Sequence, residues 1–340
     1  MVNYSSNIKK QNDKIIEKKI KFLTRQKDIT ELIVMDDVEN DYTSFSLSGI
    51  MLRSQKYLYP TAGGFDLGCG VGCFFTDISE DSVKNFTEHF YRNSPYALRR
   101  RKFILYTNIH KLKSIFCDGF AESMLGDVVI GNHFVEIRSC DGKIVILVHS
   151  GIPENMRWKY IEYFISIVKE KNPSILSSDN SYLMKVDKNS NEAKIILEIS
   201  EDANLFACIN RKYIAERIVK KMNGSIVFEI NSSHEFIEQD NTGVVHCFGV
   251  QKYRQFKEKK MAVILSGPSR INYLVTNVGS RKYINHGTPL ISVDMEGKRK
   301  YASLEAVMQS EQSKDYEIEK MCSPLYSCKK KAGMYEYSVF

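Results

Sequence analysis

Apolar and polar side chains alternate on both sides of Asp141-Gly142, a pair that supplies the positive-φ position of a tight turn, so residues 131–151 are predicted to form a β-hairpin. Its register decides what two histidines do. A two-residue loop would turn His133 away from His149. A three-residue loop over 140–142, with Gly142 left-handed, pairs Ser139 with Lys143 and sets His133 directly opposite His149 on one face. The three-residue loop is expected, and two facing imidazoles are poised to share a metal ion.

Elsewhere apolar positions follow helical spacing over 8–27, with Ile15, Ile16, Ile20 and Phe22 as a stripe. They do so again after Pro153, where Met156, Ile161, Phe164, Ile165 and Val168 share a face before Asn172-Pro173. Shorter helices are predicted over 82–91 and 109–120, another over 203–222 closed by Gly224, and a last amphipathic one over 302–321. Strand character marks 44–59, 193–199, 225–231, 243–248, 261–266, 272–277 and 290–294. Helices and strands mix without a regular βαβ alternation, so the expected fold class is α+β. No linker-like segment divides the chain, which predicts a Lys-rich helix or arm over 1–40 and one compact domain over 41–340.

A chain of 340 residues with 43% hydrophobic and 26% charged positions buries a sizeable core and is neither disordered nor fibrous. No apolar run reaches membrane-spanning length, and the first 22 residues lack the apolar centre of a signal peptide. A cytoplasmic location with no membrane partner is therefore expected. Eight cysteines without a CxxC pair read as reduced thiols. The net charge of +7 is concentrated partly in the first 30 residues and in Arg99-Arg100-Arg101-Lys102. Such clusters suit a polyanion such as RNA, and equally a solvated surface.

Asp66 and Cys69 sit three residues apart, with five glycines between Gly63 and Gly72, so backbone is expected to pass very close to a neighbour there. With His133, His149 and His234 they compose a mixed N/O/S donor set for a metal ion. His286 lies beside Gly287; His89 and His110 fall on predicted helices and read as structural, and His246 is open.

Taken in order, DLGCG, GNHFVEI, HSG, INSSH and the late HG resemble the RtcB family of RNA-splicing ligases over residues 59–330, with support from ACINR at 207–211 and YASLEAVM at 301–308. The resemblance implies an α+β domain of mixed sheets and flanking helices around a central metal site. It implies a GTP- and Mn(II)-dependent ligase that joins RNA 2',3'-cyclic phosphate or 3'-phosphate ends to 5'-hydroxyl ends, in tRNA splicing or RNA repair. By this resemblance Asp66, Cys69, His133, His149 and His234 are metal ligands, with Cys69 bridging two ions. His286 takes up GMP, and Asn132, Glu136, Tyr301 and Lys329 line the guanylate pocket.

Three segments depart from that pattern. No proline-aspartate-x-histidine segment is found in 44–59, and the arginine-lysine-glycine segment is His246-Cys247-Phe248-Gly249. The phosphate loop reads Ser266-Gly267-Pro268-Ser269, and Leu290 replaces the arginine after the nucleophile, with Arg270, Arg281 or Lys282 as candidate substitutes. Two alternatives stay open: a metal-dependent nucleotidyl transferase or phosphoesterase with another substrate, and a non-catalytic, metal-stabilised RNA-binding module.

Overall fold

A computed structural model describes residues 2–3, 14–40, 47–62, 66–83, 125–128, 132–171, 183–266, 270–280, 282–287, 290–293, 299–301, 316–331 and 334–339. The helix expected over 109–120, most of that over 82–91, the 99–102 basic run, His89 and His110 lie outside them, as do 267–269 and 302–315.

Helix and sheet are mixed, as the α+β expectation requires. One antiparallel sheet runs Arg254–Phe256, Lys259–Ile264, Asn272–Asn277, Tyr316–Lys331, Phe134–Cys140, Lys143–Ser150, Gly70–Ser79 and Ile226–Ser233, with Met334–Val339 beside Tyr316–Lys331. Its two ends nearly close on each other. Arg254 Nε donates to the Asn231 carbonyl at 3.0 Å, and the Phe228 and Phe256 rings lie 3.8 Å apart. A second sheet runs Val2–Asn3, Ile29–Asn40, Leu47–Ser54, Gly243–Phe248 and Glu235–Asp240. The chain steps from Ile226–Ser233 in the first sheet to Glu235–Asp240 in the second through one residue, His234.

The 31-residue helix Asn191–Lys221, about 46 Å long at 1.5 Å per residue, serves both sheets. Its first half sets Ala193, Ile196, Ile199, Ala203 and Phe206 among Val34, Ile50, Leu52, Ile237 and Val244 of the second sheet. Its second half sets Ile214, Ala215 and Ile218 against Val135, Ile137, Ile144, Ile146 and Val148 of the first. Phe134, Val145 and Leu147 point to the opposite face, among Val71, Ile230, Val263 and Leu274. The central strands Phe134–Cys140 and Lys143–Ser150 are thus buried on both sides, which explains their nearly continuous apolar runs.

Several local expectations change. Residues 193–199 are the first turns of that helix and not a strand, because Ser190 caps it by accepting from Ala193 N at 3.2 Å, and packing at Ile196 and Ile199 outweighs their β-branched preference. Residues 316–321 are strand and not helix, since all but Glu319, at a register shift, pair in the ladder to Asn272–Asn277. In helix Lys14–Thr24 the buried face is Ile16, Lys19, Ile20 and Leu23, leaving Ile15 and Phe22 exposed. In helix Glu154–Lys171 it is Met156, Tyr160 and Ile167, while Ile161 is only half-buried and the side chains of Phe164, Ile165 and Val168 lie outside the described residues. Within the stretch expected as a Lys-rich helix or arm over 1–40, the described residues 14–40 put Ile16, Ile20, Leu23, Leu32 and Val34 into the core beneath the second sheet.

The hairpin has the two-residue loop. Asp141 and Gly142 take φ of 52° and 70°, and Cys140 pairs with Lys143, so Phe134 rather than His133 stands opposite His149.

Candidate metal centre

Four adjacent strands end in one row. Gly70 pairs with Ser150 on one side and with Ser233 on the other, and Phe134 pairs with His149. The residues at this edge are therefore Cys69, His133, His149 and His234. His133 precedes its strand, so the pleat does not dictate its direction. Its ring reaches within 5.2 Å of His149 despite the register, which reconciles the two-residue loop with a shared site.

Cys69 Sγ lies 3.2 Å from His133 Nε2 and 3.3 Å from His149 Nε2, and the three donor atoms fall within 4.8 Å of one another, all buried. Asp66 Oδ2 closes on the same His133 nitrogen at 3.3 Å. Separations of this size are those of donors around one ion with bonds of about 2.0–2.3 Å. The His234 ring lies 5.3 Å from that of His149 at a tilt of 48°, and its buried Nδ1 has no hydrogen-bond partner among the described residues. The cluster fits a metal ion on these grounds.

The turn that presents Asp66 and Cys69 is built by glycine. Cys69 N donates to Asp66 O at 2.9 Å, and Gly68 takes φ 79°, where a Cβ would meet the Ala203 carbonyl oxygen of the long helix at 2.5 Å. Gly68 N donates to Glu235 O and His234 N to Cys69 O, both at 2.8 Å, locking the turn to the junction between the sheets. The close passage expected from the glycines is this contact.

His149 Nδ1 donates to the Asn132 carbonyl at 3.2 Å, which leaves Nε2 as the lone-pair nitrogen facing Cys69. Burial, reinforced by neighbouring histidines, holds His149 and His234 well below the usual imidazole range, so both are neutral as ligands must be. Burial, then Asp66 and Glu235, pushes the Cys69 thiol well up. Burial alone would raise Asp66, but His133 and Arg157 hold it below the usual carboxylate value. A cation held by Cys69, His133 and His149 would favour the Cys69 thiolate, offsetting the burial that raises its pKa.

His286 stands on the far side of His234, the two rings 4.5 Å apart. Its Nδ1 lies 2.8 Å from Asp37 Oδ2, and Asp37 also accepts from Gly287 N at 3.1 Å. Burial would lower the His286 pKa, but Asp37 outweighs it and the pKa is raised. Gly249, φ 66°, lets the backbone pass beneath, since its Cβ would lie 3.2 Å from His286 Cε1. Sequence reasoning missed Asp37, looking for such an aspartate over 44–59. Its one sign is the carboxylate pair Asp36-Asp37 interrupting the apolar run 32–38.

The remaining candidates divide. Asn132 contributes its carbonyl, as above. Glu136 is wholly buried and paired with Arg138, which also donates to the carbonyls of Arg270 and Cys322, each at 2.6 Å. Tyr301 and Lys329 lie on strands opposite Leu290 and Glu336, and their side chains are outside the described residues. His246 is structural: wholly buried, it accepts from Tyr59 N at 2.9 Å. Arg157, unremarked in the sequence, brings Nη1 to 3.8 Å from Asp66 Oδ1. No helix is long and apolar enough to cross a membrane among the described residues. No protein-family model matches the chain, and no curated protein matches it either.

Proposed function

We propose that the protein is a GTP- and Mn(II)-dependent RNA ligase that joins 2',3'-cyclic phosphate or 3'-phosphate ends to 5'-hydroxyl ends through a guanylate on His286. The observation that carries this proposal is the Asp37–His286 pair beside the metal cluster, the His286 ring 4.5 Å from that of His234, which in turn lies 5.3 Å from the cluster's His149. A metal ion at the Cys69, His133 and His149 cluster supplies Lewis acidity toward phosphate oxygens.

The chain's own residues do the rest. The Asp37 carboxylate, 2.8 Å from Nδ1 of His286, favours a proton on that nitrogen, so the neutral ring presents Nε2 as the nucleophile. Nε2 attacks the α-phosphorus of GTP, a P–N bond forms, and pyrophosphate leaves. An oxygen of the RNA 3'-phosphate then takes the guanylate from nitrogen. Attack by the 5'-hydroxyl forms the phosphodiester, releases GMP and gives up the hydroxyl proton. A cyclic phosphate must first be opened by water. Arg157 beside Asp66 offers a cation for the RNA phosphate.

The test is mass spectrometry after incubation with GTP and Mn(II), on wild type and His286→Ala. A GMP adduct on the wild type alone is expected. An equal adduct on the variant would overturn the role of His286.

Glu136 favours a second reading. Held by Arg138 inside the core, it is committed to an ion pair rather than to a purine edge, which suits transfer of a different nucleotide or simple phosphoester hydrolysis. Preferential labelling by ATP, or phosphate release without joining, would select it.

A further inference from the structure

Arg211 is fully buried where the long helix passes from one sheet to the other. Its Nη1 donates to Gly68 O at 2.9 Å and to Ser150 O at 2.7 Å. Nη2 donates to Ser233 Oγ at 3.3 Å and to Cys208 Sγ at 3.1 Å, and Nε to Asn231 Oδ1 at 2.8 Å. Gly68, Ser150 and Ser233 are the chain neighbours of Cys69, His149 and His234. One planar group therefore ties together the three segments that bring these donors to the same strand edge.

The packing around it is arranged for that purpose. A Cβ at Gly70 would meet the Ser232 carbonyl oxygen at 2.3 Å and Arg211 Nη1 at 3.0 Å, and one at Gly72 would meet the Phe74 ring at 2.4 Å and Arg211 Cβ at 3.3 Å, so the bare backbone at both positions lies close against the Arg211 side chain. None of the five partners is a carboxylate. A buried guanidinium is costly to desolvate, and here its N–H groups are satisfied by carbonyls and neutral side chains, which fixes geometry without forming an ion pair. Asn231 is held in turn, its Nδ2 donating to Cys208 O at 2.9 Å on the same helix.

We infer that Arg211 is a positioning residue for the metal centre, its guanidinium holding the Cys69 and His149 segments, with the His234 segment beside them, in the mutual placement at which the Cys69 and His149 donors close on one cation. The inference rests on the proposal that this cluster binds metal, and not on the nucleotide or RNA chemistry. Lysine cannot replace it, because one ammonium with three donors lacks the fixed fork that spans five partners.

The test is Co(II) titration, followed by calorimetry and by the thiolate-to-Co(II) absorption band that reports Cys69 ligation. It is run on wild type, Arg211→Lys, Ser233→Ala and Asn231→Ala, with melting of the metal-free proteins alongside. Arg211→Lys is expected to bind Co(II) about 10- to 100-fold more weakly, with a displaced band. Ser233→Ala and Asn231→Ala are expected to lose affinity in the same direction by less. A variant that melts earlier without metal yet keeps wild-type affinity and spectrum would make Arg211 merely structural. If Arg211→Lys does not fold, unchanged Co(II) affinity in both smaller variants overturns the inference. Absence of the band in the wild type removes the metal centre itself, so the two failures are told apart.

Discussion

At the scale of single residues, the site divides into side chains that offer donors and side chains that fix them. Asp37 is of the second kind. Asp37→Asn keeps the shape and loses the charge that orients Nδ1–H of His286, so guanylate transfer is expected to fall by about 10²- to 10⁴-fold, as when an orienting acid is removed from a catalytic histidine. Single-turnover adduct formation measures it, and a loss under threefold would remove Asp37 from the mechanism. His246 makes a different prediction. Burial drives its pKa down to about 3, against an ordinary value of about 6.5. Between those values the unfolded chain binds a proton that the folded one refuses, so stability falls as pH drops from about 6.5 to about 3, by up to about 1.4 kcal/mol per pH unit. Above that window neither state is protonated and the effect vanishes. His246→Gln keeps an acceptor for Tyr59 N and is expected to flatten this part of the curve in urea unfolding across pH. An unchanged slope would mean that His246 titrates normally. The donor types were legible in the sequence because Asp66, Cys69, His133, His149 and His234 stand beside glycines or turn signals. Asp37 was not, because its contact with Gly287 joins residues 250 positions apart, and no local pattern announces such a partner.

At the scale of elements, the glycine turn carries the clearest mutational consequence. Gly68→Ala would combine a left-handed backbone with a Cβ 2.5 Å from the Ala203 carbonyl oxygen, at a cost of about 2–5 kcal/mol from strain and overpacking. Thermal melting of the metal-free variant measures the cost, and wild-type stability would show that the turn relaxes freely. Strands Gly243–Phe248 and Asn272–Asn277 were legible to the residue, since turn formers bound their apolar runs. The hairpin was legible as a hairpin but not in register, because the left-handed φ of Asp141, a non-glycine residue, decides between two loops of nearly equal sequence plausibility. Residues 193–199 failed for a related reason. Their isoleucines carry strand preference, and only the Ser190 cap and contacts from a distant sheet make them helical.

For the whole molecule, the α+β class was legible from the irregular mixture of elements, but not the way one long helix underpins two sheets, since both halves of that helix depend on partners remote in sequence. A metal bound at the seam stabilises only the assembled state. Stripping it with a chelator is expected to lower stability by about 2.7 kcal/mol when the ion had been held at a hundredfold excess over its Kd. Melting with and without chelator is the measurement, and coincident curves would argue against a cation at this site. The row of strand ends has a further consequence. Each donor inherits its place from a ladder, and a slip of one residue in any of the four strands would displace that donor by about 3.3 Å and turn neighbouring side chains to the wrong face. Only the correctly registered chain could gain an ion's binding energy, so a cation held here would act as a proofreader of assembly, rewarding one strand alignment and none of its near misses.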